Sequence, residues 1–408
     1  MKLPATAKPT FIVIAFLLAS FITPSYALWA RATSVPIERL LKNINTYIVR
    51  NPKDAQGYYV RGRLHSLAFA TGTRKLEVYE SDADKLPQFP SYDSIFAKRS
   101  GNFQLSKEAQ AHLLASIRDY QRATELDRNH AMAFLGLGWV LEDGAIFADK
   151  VNPFPKEKKP KNPRANWLEK ALTAYRQAYK LTVASDLKLD GFGPGAHAAI
   201  SYEAGESILR LLRNRTLTNE ARTEITQIET TIAEIEKKPR AITPIIFPLT
   251  EPASLESLLT NNQRVRFDLA GDGKAALWPW VKPNVGILVW DPKHTGQIKS
   301  GQQLFGSVTW WISWSNGYQP LAMLDNNGDG WLVGKELKGL AVWVDANTNG
   351  VSEAGEVTTL EKFGVTRVAV NSADHMANTP FNPNGIHLRN GRILPTYDWT
   401  PEEIKPSC

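Results

Sequence analysis

Between Val35 and about Glu236, apolar residues recur every three to four positions, the spacing of helices that bury one face. The most regular stretch joins residues 113–126 (LLASIRDYQRATEL) to residues 131–141 (AMAFLGLGWVL) through the turn Asp127-Arg128-Asn129-His130. The same period runs more weakly through residues 55–65, 168–181 and 197–212, and residues 225–238 (ITQIETTIAEIEKK) predict a closing amphipathic helix. Ala123 and Gly138 are small, which predicts a close helix crossing, with Tyr120 and Phe134 filling the gaps beside it. Residues 71–107 and 142–166 interrupt the period with prolines and polar residues, as loop insertions between helices do. About three to four helix pairs are expected.

Residues 240–252 (RAITPIIFPLTEP) hold three prolines and no helical period, and read as a linker. Beyond them the pattern turns to short β-like runs, aromatics and loops of Asp, Asn and Gly. Residues 364–370 and 386–399 predict a terminal β region, with Arg389-Asn390-Gly391-Arg392 as its tight turn. The expected fold class is therefore multidomain. An all-α helical-repeat domain covers 28–239, the linker 240–252, and an α+β domain 253–408.

Charge separates the same two regions. Residues 28–240 carry 33 Lys and Arg against 25 Asp and Glu, a balance of +8, and residues 241–408 carry 13 against 16, a balance of −3. At the N-terminus, Lys2 and Lys8 form a positive region ahead of an apolar run at residues 11–21 (FIVIAFLLASF), followed by Ser25 and Ala27 in the relation that signal peptidase reads. Residues 1–27 are expected to be a signal peptide, so the protein is expected to be secreted or periplasmic, with no membrane anchor after cleavage. The only cysteine is Cys408, which excludes an intrachain disulfide. Stability in an oxidising compartment then has to come from packing and bound metal.

Two twelve-residue stretches carry the candidate chemistry. Calcium is a hard cation that takes about 6–8 oxygens at about 2.3–2.6 Å, and a loop can wrap it with oxygens at positions 1, 3, 5, 7 and 12. The first loop, residues 325–336 (DNNGDGWLVGKE), offers Asp325, Asn327 and Asp329, the carbonyl of Trp331, and Glu336. Gly330 at position 6 permits the sharp turn, and Leu332 at position 8 is the apolar residue expected to pin the loop to a core. The second loop, residues 345–356 (DANTNGVSEAGE), repeats the plan with Asp345, Asn347, Asn349, the carbonyl of Val351, and Glu356. Glu353 at position 9 adds an oxygen directly or through water. Ser352 stands where an apolar residue is usual, which predicts a looser anchorage. With three carboxylates per loop, the expected affinity is moderate or weak, roughly 10⁻⁴–10⁻³ M or tighter.

Only residues 337–344 separate the loops, too few for two helices, so one short helix or strand must connect them, with Trp343 in the core. Upstream, residues 267–273 (FDLAGDG) and 291–301 (DPKHTGQIKSG) keep the turn frame with poorer ligands. Ala270 lacks the middle oxygen, Pro279 stands where Glu is wanted, and Lys293 and Lys299 repel a cation. They read as turns retained by the fold, with Asp268 and Asp272 left open as a third site.

The junction around Tyr120, Ala123, Phe134, Leu137 and Gly138 resembles that of tetratricopeptide repeats. Tyr58 and Gly62, then Ala171, Tyr175 and Ala178, then Gly205 take equivalent places more weakly. This resemblance implies stacked helix pairs whose concave groove holds a protein or peptide segment. The C-terminal order FDL-x-GDG, ILVWDP, LFG, LAMLDNNGDG and LAVWVDANTNGVSEAGE resembles bacterial exported proteins with EF-hand-type calcium modules. That resemblance implies Ca²⁺ binding and supplies no activity.

Catalytic signatures are absent from the sequence. The seven histidines are scattered, and no HExxH, GxSxG or Walker sequence occurs. Export and the lack of a nucleic-acid module argue against nucleic acid as a partner. The expected function is a non-enzymatic calcium-binding scaffold, a protein-interaction or adhesion factor. The alternative, a calcium-dependent carbohydrate-active enzyme of the envelope, rests on Trp310-Trp311-Ile312-Ser313-Trp314, which could stack on a sugar; an aromatic core is the expected role of that run.

Overall fold

Apolar stripes at helical spacing fold as helices because each stripe has a neighbour to bury it. A computed structural model describes residues 32–71, 76–79, 105–158, 160–188, 200–238, 242–250, 253–271, 273–376 and 379–404; residues 1–27, Asp272 and Cys408 lie outside them. The helical part runs α1 (Ile37–Arg50), α2 (Ala55–Thr71), α3 (Lys107–Leu126), α4 (Ala131–Gly144), α5 (Pro163–Lys188), α6 (Ile200–Arg213) and α7 (Asn219–Ile235). In α1 the buried residues Ile37, Leu40, Ile44 and Ile48 recur at three- and four-residue steps, the inward stripe of an amphipathic helix. Side-chain caps fix the helix starts: the Ala109 N–H donates to Ser106 Oγ at 3.0 Å ahead of α3, and the Ala133 N–H to His130 Nδ1 at 3.2 Å ahead of α4.

Consecutive helices pack on one another, α2 on α3, α4 on α5, α5 on α6 and α6 on α7. Glycines make the close crossings. A Cβ on Gly136 would stand 2.5 Å from the Tyr120 ring, and one on Gly138 would stand 2.5 Å from the Tyr175 ring. Tyr120 of α3 therefore lies flush on α4, and α4 lies flush on Tyr175 of α5. The second insertion is narrower than residues 142–166. α4 continues to Gly144, a 3-10 turn covers Ala145–Phe147, and α5 opens on Pro163, where a missing N–H leaves no bond unmade.

The remaining part is built on a nine-stranded antiparallel sheet. Its strands are β3 (Ile245–Pro248), β6 (Val285–Trp290), β7 (Trp331–Val333), β8 (Leu340–Trp343), β9 (Val357–Thr359), β10 (Val365–Ala369), β11 (Asp374–Met376), β12 (Thr379–Leu388) and β13 (Ile393–Asp398). The order is β7-β10-β12-β13-β3-β6-β8-β9, with β11 paired to the start of β12. The short helix α8 (Leu255–Leu258) leads into two strands, β4 (Leu259–Phe267) and β5 (Ala276–Val281), which form a separate hairpin, and β1 (Ala32–Val35) pairs with β2 (Leu76–Tyr79) ahead of and between the first helices.

The central strands β3, β6 and β8 are buried throughout, which is why they read as apolar runs without polar alternation. One face carries Ile245, Phe247, Leu288, Trp290 and Val342 into a core continuous with the helices. The other carries Ile246, Ile287, Val289 and Trp343 into a second core with Phe267, Trp278 and Trp280 of the β4–β5 hairpin. Here the linker expectation is corrected: the stretch 240–252 contains β3, a strand paired with β13 on one side and β6 on the other. Pro244 precedes the strand and Pro248 ends it, and four consecutive apolar residues fit a position buried on both sides. The helical and sheet parts thus share a hydrophobic core.

Candidate calcium loops

Both twelve-residue loops hang from the sheet. The first follows a short helix, α9 (Tyr318–Ala322), and its own residues form β7; the second is the connection between β8 and β9. β8 is the short strand that joins the two loops, and Trp343 within it is fully buried.

The hydrogen bonds of the two loops repeat one another. In the first, Asp325 Oδ2 accepts the Gly330 N–H at 2.9 Å; Glu336 Oε1 accepts the Asn326 N–H at 2.7 Å and Oε2 the Val333 N–H at 3.0 Å. In the second, Asp345 Oδ2 accepts the Gly350 N–H at 2.7 Å; Glu356 Oε1 accepts the Ala346 N–H at 2.8 Å and Oε2 the Glu353 N–H at 2.9 Å. Position 1 is thus tied to position 6, and position 12 to positions 2 and 9, in both rings. Gly330 and Gly350 have φ of +87° and +73°, the left-handed region that a side chain disfavours. Glu336, Asp345 and Glu356 are all buried.

The remaining expected donors gather inside each ring. Asn327 Nδ2 lies 3.0 Å from Asp329 Oδ2. In the second loop Asn347 Nδ2 and Asn349 Nδ2 lie 3.0 and 3.1 Å from the two Glu353 carboxylate oxygens, bringing positions 3, 5 and 9 together. The Oδ1 of each of the three amides accepts the backbone N–H two residues on, from Asp329, Asn349 and Val351, and keeps a second lone pair. Trp331 and Val351, expected to contribute carbonyls, stand at the rims, with the Val351 side chain exposed. Among the described residues no group of three or more His, Cys, Asp or Glu is placed to hold a metal; the loops' donor sets also draw on Asn amides and backbone carbonyls.

The upstream turns share the frame. Asp268 Oδ1 accepts the Gly273 N–H at 3.0 Å, and Asp291 Oδ2 accepts the Gly296 N–H at 2.9 Å. Both glycines have positive φ, +78° and +67°. Four aspartates therefore make the same bond to a glycine five residues on, and two of the four loops keep the full set of oxygen side chains. The Asp291 loop also touches the second twelve-residue loop at equivalent places. Ser352 Oγ accepts the Ile298 N–H at 2.7 Å and donates to the Ile298 carbonyl at 3.3 Å, joining position 8 of one loop to position 8 of the other. This corrects the looser anchorage expected for Ser352: its hydroxyl replaces apolar packing with two hydrogen bonds.

Several contacts carry no local sequence signal. Trp280 Nε1 donates to Asp345 Oδ2 at 2.6 Å from the β4–β5 hairpin. On α1, Arg39 and Asn43 reach the first loop across more than 280 residues of sequence. Burial lowers the Arg39 guanidinium from its ordinary range, and the nearby Glu336 carboxylate opposes that shift. The one hint in the sequence is Asn43, a polar residue on the face of α1 that buries Ile44 and Leu40. Trp310, Trp311 and Trp314 are buried, so none offers a face to a sugar.

Comparison with known proteins bears on this region. Residues 254–390, which contain all four aspartate loops, match the family described as the SPM domain. Over 104 residues, 24% of this chain, the sequence is 38% identical to the iron-regulated protein FrpA of Neisseria meningitidis serogroup C. The chain spans 9% of the length of that curated relative, so the likeness is to a segment of a much longer protein.

Proposed function

We propose that this is an exported, non-enzymatic calcium-binding protein in which tetratricopeptide-like helix pairs present a groove to a protein or peptide segment. Its two EF-hand-type loops, residues 325–336 and 345–356, are the calcium sites. The observation that carries this reading is the duplicated hydrogen-bond pattern in which a buried Glu at position 12 spans positions 2 and 9 of its own ring. A turn of Asx residues alone gives no reason to bury a carboxylate at that place twice. Calcium, when bound, supplies the positive charge that the clustered carboxylates of each loop share. The protein's part is to hold the oxygens at the right spacing: Asp325 and Asp345 are fixed by glycine N–H groups, and Glu336 and Glu356 by two amides each. Magnesium suits the loops less, because it retains several waters and demands near-octahedral geometry.

Export rests on residues 1–27, and among the described residues no helix is long and apolar enough to cross a membrane. The scaffold reading rests on the stacked order of α2 to α7 and on glycine-mediated crossings at Gly136 and Gly138. Calcium titration calorimetry on the purified chain tests the proposal. Two binding events are expected; Glu336→Gln and Glu356→Gln should each abolish one, weakening that site by about 100-fold or more. A chain that takes up no calcium and melts at the same temperature in millimolar calcium as in chelator refutes it.

A further inference from the structure

Helix α1 grips the first loop at both of its ends. Arg39 Nε donates to Asn326 Oδ1 at 3.1 Å, and Arg39 Nη2 donates to the Leu324 carbonyl and, at 3.3 Å, to the Glu336 carbonyl. One helical turn on, Asn43 Nδ2 donates to the Met323 carbonyl at 2.8 Å and to Asn326 Oδ1 at 3.1 Å. Met323, Leu324 and Asn326 form the entry to the ring, and Glu336 its exit. None of these accepting oxygens belongs to the expected calcium-ligand set, which uses the side chains of Asp325, Asn327, Asp329 and Glu336 and the Trp331 carbonyl. Arg39 thus staples entry to exit without competing for the ion. Closing a twelve-residue ring has an entropic cost, and a guanidinium fork held on a helix meets part of it in advance.

The second loop is held differently. Its hydrogen-bond partners outside its own ring include Trp280, Ile298, Val344 and Gln263, the last donating to the Thr348 carbonyl at 3.0 Å, and all four come from the sheet region.

We infer that α1 is a positioning element for the first loop: docking of the helical part preorganises that calcium site, and calcium bound there tightens the docking in return. This rests on the calcium reading proposed above, and reciprocity follows because both events draw on one coupling free energy. Arg39 also brings a positive charge near the ring, which opposes a cation. The staple outweighs it because the guanidinium's hydrogen bonds go to neutral carbonyl and amide oxygens outside the ligand set, so its attraction to the Glu336 carboxylate acts through space and occupies no ligand atom.

Calorimetry on the full chain separates the two sites. In a Glu356→Gln background only the first loop titrates, and adding Arg39→Ala should weaken its calcium affinity about tenfold, within the usual range of such couplings. Arg39→Lys, which keeps the charge and loses the fork, should fall between the two. In a Glu336→Gln background Arg39→Ala should leave the second loop's affinity within about twofold of its parent, since coupling across sites without shared contacts is small. Hydrogen exchange of the α1 amides gives the reciprocal measurement: calcium should slow it in the parent chain and leave it unchanged in Glu336→Gln. An absence of calcium binding in the Glu356→Gln chain overturns the calcium reading and the coupling together. First-loop affinity unchanged or tightened by Arg39→Ala, with the second loop intact, overturns the coupling alone. If Arg39→Ala abolishes the second site as well, the variant has unfolded, and the exchange rates of the parent and Glu336→Gln chains decide the matter.

Discussion

The first and second loops share a local geometry and differ in what holds them. Each ties position 1 to a glycine at position 6 and position 12 to the amides of positions 2 and 9. Yet the second is a hairpin connection between β8 and β9, wedged against Val265, Trp280 and Ile298, all from its own region. The first is entered from α9, supplies β7 at the opposite end of the strand order, and is clasped by a helix from the other part of the molecule. Local sequence thus sets the ring, while tertiary surroundings set how rigid each ring is and what it communicates with. A site packed inside one region works as a fixture of that region. A site shared between two regions makes each sensitive to the other.

That contrast can be broken or sharpened by experiment. The largest effect is expected where α9 is held. Asp398 of β13 is buried and its Oδ1 accepts the Gly317 N–H at 2.9 Å, ahead of the helix that leads into the first loop. Burial pushes its carboxyl up to about 7, against the lowering effect of the Gly317 amide. The native state therefore keeps a proton that the unfolded chain releases near pH 4, so stability should fall as pH rises from about 4 to about 7, by up to about 4 kcal/mol. Asp398→Asn should flatten that decline, as read by thermal melts across the range. An Asn variant with the same slope assigns the dependence elsewhere.

Position 6 gives the next contrast. A Cβ at Gly350 would stand 2.8 Å from the Val265 Cβ, whereas one at Gly330 meets nothing within 4 Å. Both sites carry the left-handed backbone penalty of about 1–2 kcal/mol. Gly350→Ala adds overpacking of about 1–3 kcal/mol, so denaturant melts should rank it well below Gly330→Ala. Equal losses would mean that the two loops are equally free of their surroundings. Smallest is Trp280→Phe, which removes the bond to Asp345 and trims a fully buried ring, and should cost about 2 kcal/mol. It should weaken calcium binding at the second loop alone, a result that single-site titration in the Glu336→Gln and Glu356→Gln backgrounds can read.

The sequence by itself determined the local pieces. Apolar spacing revealed the helices of the first part, because a one-sided stripe has a period that survives any arrangement of neighbours. Asp, Gly and Glu at positions 1, 6 and 12 framed both loops, because each ring closes on its own backbone within twelve residues. Even the weak turns at Asp268 and Asp291 kept the aspartate-to-glycine bond, which needs only those two residues. Tertiary structure decided what lies between the pieces. The proline-bounded run at residues 245–248 looked like a linker and became a central strand, since only sheet neighbours on both sides can bury it. Ser352 looked like a poor anchor until Ile298, 54 residues away, supplied the partners for its hydroxyl. Arg39 and Asn43 resembled ordinary polar positions on a helix, and their role depends on oxygens nearly 300 residues distant in the chain. Short-range bonds are written in residue spacing; long-range ones depend on which surfaces the fold brings together, and no local pattern encodes that.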